Sequence, residues 1–238
     1  MLATIVGWTS FRLSRSARIT TTIPGASGWR ARCFIGTRSP LTCHERVARR
    51  FLIEGLTPVL DVGCGEGELA PHLPRSAWVG VDASAELLAR APPPHQLGDA
   101  TALPFPDGSF RSVALLYVLY HLFDPALALG EARRVLQSGG LVAVAAPSRA
   151  DSPEFADVLP RRALTFDAEL APEMLAEFFA EVEVERWEPP LLELPNREAV
   201  RDYLVGKGVE PRTAVGRAET ADVPLSVTKR GALVFGRT

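Results

Sequence analysis

The chain has 238 residues, of which 47% are hydrophobic, and this content is normal for a globular protein with one sizeable core. No run of about 18 consecutive apolar residues occurs, so the sequence predicts no membrane-spanning helix and no membrane partner. The formal net charge of −2 is unevenly distributed, because from Glu45 onward 20 basic residues face 28 acidic ones. The region from Glu45 onward is therefore acidic, and this disfavours nucleic acid as a partner.

The first 44 residues contain six arginines and no acidic residue, a composition typical of organelle transit peptides. The whole chain has 24 Arg against 2 Lys, which is typical of a GC-rich gene, and a start codon set too far upstream would give the same basic leader. We favour this second interpretation. We therefore expect residues 1–41 to be a disordered leader outside the fold.

The three cysteines, Cys33, Cys43 and Cys64, show neither a C-x-x-C pair nor Cys/His spacing. This pattern argues against a disulfide framework and against a metal site. We therefore expect a cytoplasmic protein without a structural metal.

Strand and helix signals alternate along the first part of the chain. Thr42 and Glu45 have the spacing of a capping box, and Asp124-Pro125 has the sequence of an N-cap followed by a first helical residue. Gly139-Gly140 is expected to end the helix that begins there. Helices are predicted over about 45–54, 68–73, 85–91 and 125–136, and strands over about 58–62, 77–82, 96–99, 112–117 and 141–146. This order predicts βαβ crossovers and a parallel sheet.

The pattern is looser after Pro147. Helices are predicted over about 172–179 and 196–205, with β-type residues between them over 182–194. Leu225–Thr228 and Ala232–Phe235 predict a final hairpin-like strand region, interrupted at Lys229-Arg230-Gly231.

Three alternating glycines, Gly63, Gly65 and Gly67, directly follow the strand predicted at 58–62. Ligands of open α/β sheets bind beyond the carboxyl ends of the strands, and glycine lets the backbone approach a ligand closely. The alternative is a tight turn without a ligand. Their alternation directly after a buried strand favours a nucleotide-like cofactor.

The residues around these glycines discriminate between two cofactor classes. A dinucleotide fingerprint would need a small residue at position 68, where this chain has Glu68. Asp61, Glu66 and Glu68 also oppose an anionic pyrophosphate, whereas they suit a cofactor that carries an ammonium and a sulfonium.

The segment Val59-Leu60-Asp61-Val62-Gly63-Cys64-Gly65-Glu66-Gly67 resembles motif I of the class I S-adenosylmethionine-dependent methyltransferases. Later segments resemble the type 11, small-molecule group of this superfamily, and the resemblance covers about residues 45–147, with a weaker similarity near 228–231. These later segments are Val79–Asp82, Gly98–Ala100, Leu103–Phe105, Phe110–Val113, Tyr120–Leu122, Glu131–Leu136 and Gly139-Gly140.

The resemblance implies a Rossmann-like α/β fold with a mostly parallel seven-stranded sheet, helices on both faces and an antiparallel last strand. It implies one methyltransferase domain over 42–238, with a cofactor-binding half at 42–147 and the acceptor-side segments and last strands at 148–238. The implied cofactor is S-adenosylmethionine, and its expected contacts are Asp61, Gly63, Cys64, Gly65, Gly67, Asp82, Ala83, Asp99, Ala100 and Tyr117. Asp82 is expected at the ribose and Asp99 at the adenine, although Asp82 is also a candidate N-cap for the helix after it.

His121 is the candidate catalytic residue, as a general base whose pKa suits proton removal near neutral pH, and the alternative is a histidine that only packs or caps a helix. The acceptor is expected to be a small molecule covered by segments of about 147–170 and 188–214, with Phe166, Trp187 and Tyr203 as candidate lining residues. Two other functions stay open: an NAD(P)-dependent oxidoreductase, and a non-catalytic module that binds S-adenosylmethionine.

Overall fold

The computed structural model describes residues 42–160, 164–188 and 190–238, and for residues 190 and 191 it describes the backbone alone. The predicted leader at 1–41 lies outside the described residues. Two compact units are present, and each is described by itself. The larger, the sheet unit, contains the described residues of 42–151, 164–188 and 229–238, and the smaller contains 152–160 and 190–228. Residues 164–188 and 229–238, which belong to the region predicted to hold the acceptor-side segments and the last strands, lie in the sheet unit.

The helices and strands of the described residues follow the predicted order. The strands are β1 (Val59–Val62), β2 (Trp78–Asp82), β3 (His95–Leu97), β4 (Phe110–Leu116), β5 (Leu136–Pro147), β6 (Glu181–Trp187), β7 (Pro190–Leu194), β8 (Leu225–Thr228) and β9 (Gly231–Arg237). The helices are α1 (Cys43–Ile53), α2 (Ala85–Leu88), α3 (Pro125–Val135), α4 (Ala171–Ala176), α5 (Arg197–Gly206) and α6 (Pro211–Glu219). The stretch predicted as helical at 68–73 contains only a 3₁₀ turn, Ala70–His72.

The sheet unit is built on seven strands in the order β3-β2-β1-β4-β5-β9-β6. The first five strands in this order are parallel, and β9 is antiparallel to both β5 and β6. This arrangement confirms the predicted Rossmann-like sheet with an antiparallel last strand. The carboxyl ends of β1, β2 and β4 consequently lie at one edge of the sheet, which we call the carboxyl edge.

Helices cover both faces of this sheet. Alternate residues of the central strands, such as Leu60, Val113 and Val234, share one core with α3 and α4. The next residue after Val234, Phe235, points to the opposite face because side chains alternate along a strand. There the guanidinium of Arg50 on α1 lies 4.0 Å from the centre of the Phe235 ring.

The two helix starts predicted from capping residues are confirmed. The Thr42 hydroxyl accepts from the Glu45 amide at 3.1 Å, and a Glu45 carboxylate oxygen accepts from the Thr42 amide at 2.6 Å, which is a complete capping box. Asp124 caps α3 through a 3.0 Å bond from the Ala126 amide, with Pro125 as the first helical residue.

The prediction that Gly139-Gly140 ends a helix is wrong. Helix α3 already ends at Val135, and extended pairing begins at Leu136 opposite Phe110. The pairing then shifts register, so that Leu141 lies opposite Ser112. The two glycines lie inside β5, in the extra residues that this shift accommodates, and Gly139 has a φ of +74°.

The predicted final hairpin is also wrong, because β8 and β9 do not pair with each other. Strand β8 pairs with β7 in a separate two-stranded sheet of the smaller unit. Strand β9 has a continuous apolar run, Ala232–Phe235, in which every side chain is at most 1% exposed. A strand whose side chains are buried on both faces is typical of the interior of a sheet. Strand β9 accordingly lies between β5 and β6.

The smaller unit has a core of its own. Fully buried side chains from α5, α6 and β8, including Val200, Tyr203 and Val227, pack with Phe155. Helix α5 begins at the N-cap Asn196, whose side chain accepts from the Ala199 amide at 2.8 Å.

Arg134 ties helix α3 to the segment that follows β3. Its guanidinium donates to the carbonyl oxygens of Leu103 at 3.0 Å and Phe105 at 2.8 Å, and to the carboxylates of Asp107 and Glu131. Glu131 in turn accepts from the Leu103 amide at 2.7 Å. The two carboxylates raise the pKa of Arg134, and the side chain holds the segment 103–107 against the helix.

We expect Arg134→Ala to lower the free energy of unfolding by about 1–2 kcal/mol, because it removes charge-assisted bonds to two carbonyls and two carboxylates at a half-exposed position. Arg133→Ala is the matched control, since the neighbouring Arg133 is exposed and its loss should change stability by less than about 0.5 kcal/mol. Urea unfolding followed by circular dichroism measures both. Equal losses in the two variants would contradict the role of Arg134.

Candidate functional site

The glycine loop, residues 63–67, lies at the carboxyl edge directly after β1. The amides of Gly63 and Cys64 donate to the Val81 carbonyl at 2.8 and 3.1 Å, which joins the start of the loop to β2. Gly63, Gly65 and Gly67 have φ values of +68°, +56° and +80°. Glycine adopts this left-handed backbone conformation at little energetic cost. Its occurrence at three positions in so short a segment explains the alternating glycines.

The three glycines meet different surroundings. A Cβ on Gly63 would lie 2.4 Å from a methyl group of Val118, and one on Gly67 would lie 2.6 Å from the Pro92 ring. A Cβ on Gly65 would meet nothing within 4 Å. Gly63 and Gly67 are therefore required for packing, whereas Gly65 borders open space where a ligand has room.

Asp82, at the end of β2, is hydrogen-bonded to the glycine loop. One carboxylate oxygen accepts from the Gly65 amide at 2.8 Å, and the other accepts from the Ser84 amide at 2.8 Å. The N-cap of α2 is Ser84, whose hydroxyl accepts from the Leu87 amide. The alternative role of Asp82 as the N-cap is thus taken by Ser84.

Asp61 lies beneath the loop and is only 4% exposed. Its carboxylate accepts from the indole nitrogen of Trp78 at 3.1 Å. Burial raises the pKa of Asp61 to about 7, with further increases from the negative charges of Asp82 and Glu68, while the Trp78 bond opposes the rise. No sequence pattern had assigned Trp78 to the site. Its place at the start of the strand next to β1 was the only available signal.

The side chain of Cys64 is turned into the protein. It is 7% exposed, and its sulfur would lie 2.7 Å from a Cβ on Gly80. Burial raises the pKa of the thiol, so the group stays protonated near neutral pH. Any contact of Cys64 with a cofactor would therefore come from its backbone.

Asp99 lies two residues beyond the end of β3 and is exposed. Its Oδ1 accepts from both the amide and the hydroxyl of Thr101 at 2.8 Å, and neither bond uses Oδ2. Of the two alanines in the expected contact set, Ala83 is exposed after β2 and Ala100 packs against the core. The three residues thus belong to the loops that leave β2 and β3.

The segment after β4 carries the aromatic candidates. Tyr117 has a φ of +62°, a strained conformation for a non-glycine residue that is enriched at functional sites. Burial raises the pKa of the Tyr120 phenol to about 12. The rings of Tyr120 and His121 are in contact, with their centres 4.3 Å apart.

His121 is brought within the electrostatic reach of Asp82. Loss of solvent around the imidazole lowers its pKa, and the negative charge of Asp82 acts in the opposite direction. The residue as a whole remains exposed. The structure therefore places the candidate base and the candidate ribose ligand on the same edge of the sheet, with His121 uncharged near neutral pH.

The expected lining residues of the acceptor are core residues. Phe166 and Tyr203 are both 0% exposed, Phe166 in the core of the sheet unit and Tyr203 in that of the smaller unit. Trp187, at the end of β6, is 7% exposed. The assignment of Phe166 and Tyr203 to an acceptor surface is wrong, because full burial leaves them no ligand-facing surface. The expected cover by segments 147–170 and 188–214 stays a prediction.

The described residues contain neither a metal-binding cluster nor a membrane-spanning helix. No group of three or more His, Cys, Asp or Glu side chains in this part of the chain is placed to hold a metal ion. None of the helices within 42–160, 164–188 and 190–238 is long and apolar enough to cross a membrane.

Comparison with known proteins identifies the segment that carries this site. The family model described as "Methyltransferase domain" matches residues 60–144, which extend from β1 into β5. An uncharacterized methyltransferase of Schizosaccharomyces pombe is 34% identical over 125 residues, 44% of each chain. A demethylmenaquinone methyltransferase of Thermus thermophilus is 36% identical over 99 residues, which cover 36% of this chain and 45% of that protein. The chain thus spans less than half the length of these curated relatives.

A solved structure supports the fold. The YcgJ protein of Bacillus subtilis matches 81% of this chain and 98% of its own with a TM-score of 0.59, at 18% sequence identity. A likeness at this identity concerns the fold alone. The family match thus identifies residues 60–144 as similar to a methyltransferase domain, and the sheet order and the solved structure agree with a Rossmann-like fold for it.

Proposed function

We propose that this protein binds S-adenosylmethionine at the glycine loop and transfers its methyl group to a small-molecule acceptor. The observation that carries the proposal is the open space beside Gly65, whose amide is fixed by the Asp82 carboxylate. Each oxygen of Asp82 has a second lone pair with which to accept a ribose hydroxyl while it keeps its backbone partner. The residues present therefore fit the cofactor that the family implies.

The charges around the loop favour a cationic ligand. Glu66 is paired with Arg90 at 2.9 Å, so its charge is largely offset and contributes little. Asp82, and Asp61 when it is ionised, also place negative charge at the loop, and Glu68 directly follows it. A pyrophosphate placed there would face two carboxylates, and this disfavours the NAD(P)-dependent alternative.

When bound, the cofactor supplies an electrophilic methyl group on a sulfonium. The chain's own contribution is to hold that group in line with the acceptor and to exclude water. Where the acceptor loses a proton, His121 is the group placed to take it, because its ring is neutral near pH 7. Asp99 and Ala100 are assigned to the adenine, and Tyr117 to the region between the cofactor and the acceptor.

A metabolite fits this chain better than a macromolecule. The region from Glu45 onward has 20 basic against 28 acidic residues, which opposes a nucleic acid acceptor. The Thermus thermophilus relative is named for a small-molecule substrate, demethylmenaquinone. Calorimetry with S-adenosylmethionine, S-adenosylhomocysteine and NADH tests the cofactor, and binding of NADH alone would overturn the proposal.

We expect Gly65→Ala to weaken S-adenosylhomocysteine binding at least about tenfold, because the new methyl group enters the space assigned to the cofactor. Gly55→Ala is the matched control, since Gly55 has a φ of +65°, also meets nothing within 4 Å and lies near the end of α1. Both variants should lose about 1 kcal/mol of stability from backbone strain. Calorimetry compares the affinities, and equal affinities in the two variants would place the cofactor elsewhere.

The raised pKa of Asp61 predicts how affinity depends on pH. Because this pKa is about 7, the carboxyl is mainly protonated at pH 6 and mainly ionised at pH 8. A bound cation favours the ionised form, so the affinity for S-adenosylmethionine should rise by about fivefold over this range. Asp61→Asn keeps an acceptor for Trp78 and should flatten the profile. The same slope in both proteins would assign the titration to another group.

His121→Gln should lower turnover by about 100-fold while the affinity for S-adenosylhomocysteine changes by less than about twofold. Transfer of the labelled methyl group from S-adenosylmethionine to a component of a metabolite extract would identify the acceptor. The same label would then measure the rate with that acceptor. The wild-type rate should fall on acidification at a pH lower than the ordinary imidazole pKa of about 6.5, because loss of solvent lowers the pKa of His121 and delays its protonation. An unchanged rate in the variant would show that His121 only packs. Complete absence of methyl transfer by the wild type would favour the non-catalytic module.

A further inference from the structure

Phe123 is the most exposed large hydrophobic side chain among the described residues, at 98% of its full surface. An exposed aromatic ring contributes nothing to the core, and transfer of its surface out of water is favourable. A ring in this state is available to bind an apolar partner.

Local packing does not use this ring. Phe123 directly precedes Asp124, the N-cap of α3, and an apolar residue at that position often packs on the fourth residue of the helix. Here that residue is Ala128, which is 0% exposed without help from Phe123. The preceding residue, Leu122, packs against the core, and its carbonyl accepts from the Thr165 hydroxyl at 2.8 Å. The backbone is thus anchored while the Phe123 side chain points outward.

The ring lies at the edge where methyl transfer is proposed to occur. Phe123 is two residues after His121, in the segment that leaves the carboxyl end of β4, next to the glycine loop strand β1. Leu127, in the first turn of α3, is also 56% exposed. Ile53, another exposed side chain at 73%, lies at the end of α1 before the amino end of β1, at the opposite edge.

The surrounding charges narrow the choice of partner. No Lys or Arg occurs from Tyr117 to Ala132, whereas Asp124 adjoins the ring. Within this segment, residues 117–132 therefore offer no cation to an anionic lipid surface or a polyphosphate.

We propose that Phe123 and Leu127 contact a neutral apolar portion of the methyl acceptor, a ring system or a hydrocarbon chain. This inference rests on the proposed function and narrows its substrate class to amphiphilic or aromatic metabolites. The polar atom that receives the methyl group then lies toward His121, and the apolar portion lies toward Phe123.

The test uses the neutral fluorescent probe N-phenyl-1-naphthylamine, titrated into the full chain with saturating S-adenosylhomocysteine. Phe123→Ser should weaken probe binding about tenfold, and Phe123→Leu should retain most of the affinity because it keeps an apolar side chain. Leu127→Ser should have a smaller effect in the same direction. Ile53→Ser is the control for an exposed hydrophobic residue at the other edge and should bind as the wild type does.

Two results would overturn the inference: no probe binding by the wild type, or equal affinities for the wild type and Phe123→Ser. Co-sedimentation of the wild type with phosphatidylcholine vesicles that is lost in Phe123→Ser would assign the ring to a lipid surface instead, and this also overturns it. Failure of the proposed function appears separately, as absence of S-adenosylhomocysteine binding in calorimetry.

Discussion

The hydrogen bond from the Gly65 amide to the Asp82 carboxylate is the interaction on which the geometry of the site depends. Parallel pairing of β1 with β2, in which Val62 lies opposite Val81, brings the two strand ends level. The loop after β1 then places the Gly65 amide within hydrogen-bond distance of Asp82. Because Ser84 caps α2, Asp82 is not required to stabilise that helix and holds the loop instead. Together with the Ser84 amide, which donates to the other oxygen of Asp82, this bond positions the carboxylate proposed to bind ribose.

The buried carboxyl of Asp61 lies under this loop although its burial lowers the stability of the fold. Burial penalises its ionised form, and the indole of Trp78 is its hydrogen-bond donor. An apolar residue of similar size would pack there without that penalty. Sequences depart from local rules of stability at functional sites, and the proposed cationic cofactor gives this departure a purpose. Asp61 would then act through space, since it is 4% exposed.

Much of the fold was predictable because its signals are local. Capping residues, glycines and apolar periodicity fixed the helix starts, the five parallel strands and the position of the loop between β1 and β2. The errors arose where pairing over long sequence distances decides the structure. Gly139-Gly140 has the pattern of a helix end but accommodates a register shift within β5, and β8 and β9 are separated by two residues yet belong to different sheets. Aromatic composition alone also failed to distinguish core residues such as Phe166 from surface ones such as Phe123.

The sequence by itself determined the motif residues of the site and the class of fold, because glycine conformation, helix capping and strand periodicity are properties of a few neighbouring residues. Only the tertiary structure decided what each of these residues does. It showed that Gly63 and Gly67 serve packing while Gly65 borders open space, that Trp78 bonds to Asp61, and that Phe123 stays outside the core. The physical reason is that space, burial and electric field at a residue are set by strands and helices far away in the chain, and no local pattern records them.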